Sequence, residues 1–357
     1  MAERRIGVLV ANVGTPDAPQ TAEVRRYLRE FLGDPRVIDI NPVGRWLLLN
    51  LIILPFRPAK SAEAYRIVWT DRGSPLRFHS QDMVAGLQAE LGDRFSVKLG
   101  MRYGNPSIPA ALKAFGEERV ERIVIFPAFP QNAASSTGTA LDKIFSELGE
   151  LWKPIPVTSV PSFYDDRGFI EAFADVARTT TQGAETEHLL FSFHGLPERH
   201  MRKGDPTGSH CLTRDDCCAE ITDNNRDCYR AQCFATAKLL ASALGVDETR
   251  WTVGFQSRLG RTPWIQPYTD EIVPKLAASG IKNLTVMCPA FVADCLETLE
   301  EIGVRLDADF RAAGGKSLTL VPSLNATPLW VSAAATLIRR SANDGEAVVQ
   351  PVAETVP

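Results

Sequence analysis

The strongest constraint on the fold is an internal echo. Eight short apolar runs rich in β-branched and aromatic residues lie along the chain, and the last four repeat the first four. "RIVIFPAFP" (122–130) returns as "LTVMCPAFV" (284–292), "PVTSVPSF" (156–163) as "LTLVPSLN" (318–325), and "IGVLVANVG" (6–14) as "HLLFSFHGLP" (188–197). The remaining pair is "VKLGMRY" (97–103) and "WTVGFQS" (251–257). Stretches with helical periodicity separate the runs, and strands alternating with helices build parallel sheets covered on both faces. A duplicated set of four predicts an α/β protein of two similar doubly wound domains, each with a four-stranded parallel sheet.

At 357 residues the chain is long enough for two cores. The division is expected near residue 175, giving domains over 1–175 and 176–330. A helix over 331–340 should fold back on the first domain, and the aperiodic tail "SANDGEAVVQPVAETVP" (341–357) should be disordered. Corresponding runs lie 154 to 182 residues apart, and the largest offset belongs to the pair preceding an extra segment at about 206–228.

A net charge of −4 provides no basic field for nucleic acid, so no nucleic-acid partner is expected. "MAERRIGVLVANVG" lacks the apolar length and cleavage site of a signal peptide and reads as a buried first strand. The expected compartment is the reducing cytoplasm, where an odd number of cysteines, five of the seven within 211–233, suggests metal ligation more than disulfides. "WLLLNLIILPF" (46–56) is about half the length of a membrane span. It reads first as a buried helix; the alternative, supported by flanking Arg45 and Arg57, is a helix that dips into one leaflet or lines an apolar mouth.

Ligands of open parallel sheets gather at the carboxyl ends of the strands. Two ends carry useful titratable groups. His194 closes an apolar strand just before Gly195 and Pro197, where a half-desolvated, neutral imidazole suits proton acceptance or metal ligation. "ADCLETLEEI" (293–302) leaves another apolar strand with Glu297 and Glu301 four residues apart, Glu300 beside them and Asp294 one turn earlier. A carboxylate row entering the interior there suggests a path for cations or protons, although a solvated helix face is the plainer reading.

At these residues the chain resembles the ferrochelatases, which insert Fe²⁺ into a porphyrin. The resemblance rests on "FSFHGLPERHMRKGDP" (191–206), "FQSRLGRTPWIQPYTDE" (255–271) and "FVADCLETLEEI" (291–302). "LVANVGTP", "GMRYGNP" and "FPQNAASSTGT" extend it over most of residues 5–330. It implies a chelatase-like fold with the active-site cleft between two domains. It also implies insertion of Fe²⁺ into protoporphyrin IX, with His194 as proton acceptor or last metal ligand and Glu297 and Glu301 as the path on the opposite face. Val13, Leu32, residues 46–54 and Trp264 would form an apolar lip, within about 31–56, that bends the macrocycle. Arg57, Lys60, Tyr65 and Ser74 would hold propionates, and Arg102 and Tyr103 would line the pocket. Peripheral membrane contact through 46–56 at the inner face of the membrane is implied, while monomer and homodimer both stay open. The alternatives are a coproporphyrin III ferrochelatase or a non-catalytic porphyrin or haem carrier; a carrier predicts loss of His194 or Glu297, and both are present.

The chain departs from many relatives at Cys295, where they carry histidine, and in its insertion. Cys211, Cys217, Cys218 and Cys228 lie in or beside a polar segment that cannot bury itself. Four thiolates there would hold a metal centre that contributes folding energy. C-x₂-C is absent, and adjacent Cys217 and Cys218 fit separate irons of a [2Fe–2S] cluster better than one zinc. Cys233 is a substitute ligand and His210 a further candidate.

Overall fold

The structure, a computed structural model, describes residues 5–183, 185–260 and 262–342. Strands β1 (Ile6–Thr15), β2 (Phe95–Gly104), β3 (Ile123–Pro127) and β4 (Val157–Ser159) form one parallel sheet in the order β2-β1-β3-β4. The second sheet contains β5 (His188–His194), β6 (Trp251–Gln256), β7 (Asn283–Met287) and β8 (Ser317–Leu320), in the order β6-β5-β7-β8. The sequence echo is thus an echo of topology. Apart from Val13 and His194 near their ends, β1 and β5 are buried along their length, as central parallel strands covered on both faces must be.

Proline sets where the central strands stop. β3 ends at Pro127 and β7 just before Cys288 and Pro289, because a proline has no N–H for the ladder. The expected runs 122–130 and 284–292 are therefore strands only in their first halves. Their second halves are irregular and line the cleft.

The two sheets share one continuous core. Helix Arg167–Thr181, which contains the residue at which the chain was expected to divide, buries Phe169 and Phe173 in a cluster that also holds Val8, Phe126, Phe191 and Phe255. Helix Pro328–Ala342 starts three residues before the expected one and includes 341 and 342 of the expected tail; the rest of that tail lies outside the described residues. Its Trp330 is fully buried, with ring centroids 6.1 Å from Phe126, 5.6 Å from Phe163 and 5.9 Å from Phe169.

The apolar stretch 46–56 is not a buried helix. It runs through helix Pro42–Leu47, the π-helical Leu48–Ile53 and the start of helix Leu54–Val68. Leu49 and Leu54 are buried, whereas Trp46, Leu51, Ile52 and Phe56 are 60%, 59%, 59% and 76% exposed. Of this stretch only Leu48 and Ile53 line the cleft described below. Among the described residues no helix is long and apolar enough to cross a membrane.

Candidate active site between the two sheets

In the order β2-β1-β3-β4 the chain leaves β1 in both directions, and a crevice opens beyond the carboxyl ends of β1 and β3. The second sheet repeats this at β5 and β7. The two crevices merge into a cleft of about 830 Å³. β1 contributes Val13 to Thr15, β5 contributes His194, and the segment after β7 contributes Phe291 to Ala293 and Cys295 to Glu297. The close approach at the floor needs glycine: Gly14 has a φ of 106°, and a Cβ there would stand 1.8 Å from the Tyr103 carbonyl oxygen.

His194 is held as a one-sided acceptor. Its Nδ1 lies 2.6 Å from the Gly195 carbonyl oxygen. A carbonyl only accepts, so Nδ1 carries the proton and Nε2 keeps a free lone pair in the neutral ring. The peptide just before that carbonyl, His194–Gly195, is clamped on both sides: the Gly195 N–H donates to the Gln256 carbonyl at 2.8 Å, and the Tyr229 hydroxyl donates to the His194 carbonyl at 2.8 Å.

The carboxylates come from the π-helical segment Glu297–Leu306, a conformation concentrated at functional sites. Glu297 and Glu301 both line the cleft. Glu301 accepts the Ser257 N–H at 2.8 Å and the Ser257 hydroxyl at 2.5 Å. Ser257 adopts a φ of 66°, rare for a residue with a side chain, in order to present both donors. Glu300 and Asp294 do not join the row. Glu300 is buried against Arg305 at 2.9 Å, and Asp294 accepts from Ser323, Thr298 and Asn325. Cys295 is buried, and burial together with the neighbouring Glu297 pushes its thiol well up, so it stays protonated.

Of the other expected contacts, Val13, Arg57, Tyr65, Ser74 and Trp264 line the cleft. Burial lowers the Arg57 pKa, and the charge of Glu297 partly offsets it. Burial, then Glu297, pushes the Tyr65 phenol up. Ser74 shares a 2.8 Å hydrogen bond with Thr15, and Trp264 donates to the Leu259 carbonyl at 2.9 Å. Lys60 is exposed and lies outside the lining. Arg102 and Tyr103 are a correction: they lie beneath the lip, not in the cleft. Arg102 is 2.6 Å and the Tyr103 hydroxyl 3.0 Å from Oδ2 of buried Asp34. Burial alone would raise the Asp34 pKa, but hydrogen bonds from Thr139, the Arg36 N–H and Tyr103, with the Arg102 charge, hold it low.

Two lining residues carried no signal of their own in the sequence. Arg199 and His200, five and six residues after His194, line the cleft from the second half of the chain. Asp39 at the root of the lip meets Lys203 at 2.7 Å and Arg199 at 3.6 Å, tying the lip to the second half.

The insertion is a chain of turns with its own hydrogen-bonding centres. Asp205 accepts the backbone N–H groups of His210 and Cys211 at 2.8 Å each. Buried Asn225 donates to the carbonyls of Cys217 and Glu220. His210 gives its Nε2 proton to the Cys217 carbonyl at 3.1 Å, which makes it a brace. Cys217 and Cys218 bring their sulfurs to 3.6 Å, and the Cys211 and Cys218 thiols both bond to Cys228. Cys228 caps helix Tyr229–Leu244; the Cys218 thiol, then the N–H groups of Ala231 and Arg230 and the Cys211 thiol, bring its pKa down to about 6 against the effect of burial. Cys233 points elsewhere, fully buried against the Tyr229 hydroxyl.

The ferrochelatase family model matches residues 5–342. The chain belongs to the ferrochelatase family. A ferrochelatase of Coxiella burnetii (strain Dugway 5J108-111) is 44% identical over 342 residues, covering 94% of each chain. One from Legionella pneumophila (strain Paris) is 45% identical over 330 residues, covering 92% of this chain and 97% of that one. Among solved structures, the sirohydrochlorin chelatase SirB of Bacillus subtilis subspecies spizizenii, in complex with cobalt, superposes with a TM-score of 0.52 at 10% identity, covering 96% and 97%. That likeness is one of fold: two α/β units around a cleft. The family expected from the motifs is the family found, and with it the enzyme class, a lyase that inserts iron into a porphyrin for haem synthesis.

Proposed function

We propose that this ferrochelatase inserts Fe²⁺ into protoporphyrin IX, with His194 taking the pyrrole protons or acting as the metal's last ligand. The observation that carries this reading is the 2.6 Å contact of His194 Nδ1 with the Gly195 carbonyl, which leaves Nε2 as the acceptor in the cleft that also holds Glu297 and Glu301. The macrocycle loses two N–H protons as it binds a dication. A neutral imidazole accepts a proton, and the carboxylates attract the ion and relay protons away along the π-helical segment. The clamped peptide around His194 and the double hydrogen bond on Glu301 mean that little reorganisation accompanies the reaction.

Arg57, Tyr65 and Ser74 offer charge and hydroxyls to propionates, and the exposed face of Trp46, Leu51, Ile52 and Phe56 suits an entry route for an apolar ring from a membrane surface. Coproporphyrin III remains the second reading, favoured by one observation: Arg199, 3.6 Å from Asp39, also lines the cleft and adds a second cation to Arg57 for further carboxylates. Turnover of Fe²⁺ with each porphyrin decides between them. The expected result is a kcat/KM for protoporphyrin IX about tenfold or more above that for coproporphyrin III, a transition-state difference of about 1.4 kcal/mol. Equal or reversed values sink the preference, and haem formation from neither sinks the function.

The four thiols of Cys211, Cys217, Cys218 and Cys228 are proposed to bind a [2Fe–2S] cluster. Among the described residues no three His, Cys, Asp or Glu side chains are arranged to grip a single metal ion. The thiols instead gather side by side, with Cys228 held close to its ligating thiolate form. Cys217 and Cys218 stand 3.6 Å apart, and as adjacent residues they suit separate irons of such a cluster. When bound, the cluster supplies folding energy to a segment without helix or strand; no step of iron insertion passes through it. Anaerobically purified protein should show the visible absorption and, when reduced, the electron paramagnetic resonance of a [2Fe–2S] centre, both lost in Cys218→Ser. A colourless protein with stoichiometric zinc refutes the cluster.

A further inference from the structure

The insertion and the catalytic histidine are joined by a single residue. Cys228, the last thiol of the group, is followed directly by Tyr229, the first residue of helix Tyr229–Leu244. Tyr229 is buried, and its hydroxyl donates to the His194 carbonyl at 2.8 Å. A carbonyl oxygen only accepts, so the donor direction runs from the helix to the strand end. On its other side the same His194–Gly195 peptide is fixed by the Gly195 N–H bond to Gln256.

We propose that Tyr229 is a positioning residue that couples the four-cysteine group to His194: what the thiols hold sets where Cys228 and Tyr229 stand, and Tyr229 sets the His194–Gly195 peptide, which carries both the His194 side chain and the glycine whose carbonyl the ring leans on. Covalent connection makes the coupling short. A shift of Cys228 when the group is filled, emptied or oxidised displaces the helix start, and the tyrosine hydroxyl moves with it. The His194 ring follows because that peptide joins the His194 and Gly195 Cα atoms, and the ring's Nδ1 bonds to the Gly195 carbonyl, in the next peptide unit, 2.6 Å away. No bond to substrate is needed; the effect falls on the geometry of Nε2. Partners of this kind around a working histidine change activity by about 10- to 100-fold when removed. The inference rests on the reading of His194 as the working base or ligand.

The test compares His194→Ala, Tyr229→Phe, Cys218→Ser and the Tyr229→Phe/Cys218→Ser pair as full chains, with Fe²⁺ and porphyrin. Tyr229→Phe keeps the buried ring and should lower kcat about tenfold, with the KM for porphyrin and the melting temperature held within error. Cys218→Ser should lower kcat in the wild-type background and have no added effect on Tyr229→Phe, as one pathway requires. Binding of a metal-free porphyrin, followed by fluorescence, should be the same in all four. Additive losses overturn the coupling. So does a Tyr229→Phe chain whose turnover falls only together with its melting temperature, because that is a packing role. Wild-type turnover in Tyr229→Phe beside an inactive His194→Ala overturns the inference and leaves the proposed function standing; wild-type turnover in His194→Ala overturns both.

Discussion

Replacing His194 with alanine is expected to lower kcat for Fe²⁺ and porphyrin by about 10²- to 10⁴-fold, the range for losing a positioned proton acceptor. The size of the effect follows from how the ring is held. Nδ1 is occupied by the Gly195 carbonyl, so proton acceptance has one address, Nε2, and water that fills an alanine cavity has neither that basicity nor that aim. Porphyrin binding should survive, because the apolar lip and Arg57 stand on the other half of the cleft. The expected signature is therefore loss of kcat with an unchanged dissociation constant in fluorescence titration. His194→Ala at wild-type turnover under saturating metal means that the protons leave by another route.

A second large effect lies far from the cleft. Trp330→Ala should destabilise the protein by about 3–5 kcal/mol, the range for emptying a large aromatic site. Trp330 is fully buried among Phe126 of β3 and Phe163 and Phe169 of the connection to the second half. The loss should lower the melting temperature by roughly 5 °C for a chain of this size, since the unfolding entropy scales with length. Trp330→Phe should recover most of it, because the indole Nε1 has no hydrogen-bond partner to lose. Calorimetry of the two variants checks both statements, and equal destabilisation by Phe and Ala would mean that the ring stack is not what holds the helix.

These two residues differ in how far they could be read without coordinates. His194 stands at the end of an apolar strand, before a Gly and a Pro, and its chemistry was legible from local context. Trp330 carries no such mark: its role depends on a helix crossing back to the first sheet, and only packing shows what surrounds it. The π-helical run from Glu297 gave the same kind of lesson. A spacing of four placed Glu297 and Glu301 together, yet it also recruited Glu300 and Asp294, which the structure turns toward Arg305 and toward Ser323 and Asn325. Arg102 and Tyr103 sit at a strand end, the expected place for pocket residues. They are instead consumed by Asp34, a partner 68 and 69 residues away that no local pattern announces.

Ser257 was visible as a strand end but not as the holder of Glu301, because its role depends on a left-handed backbone rather than on its type. The apolar stretch 46–56 misled in the opposite direction. Apolarity normally means burial, and here half of it faces outward because the groove it covers is itself part of the site.

What the chain alone determined are the properties carried by short-range pattern: two sets of four strands, the family motifs, the histidine and the carboxylates, and a cysteine-rich insertion after the signature. Strand formation and proline stops are decided within a few residues, so they can be read in order along the chain. The tertiary structure decided which of those groups share a space: which carboxylates line the cleft, which thiols meet, and that a tyrosine beside Cys228 reaches the carbonyl of His194. Those outcomes depend on contacts between residues far apart in sequence, whose energies appear only when both partners are in place.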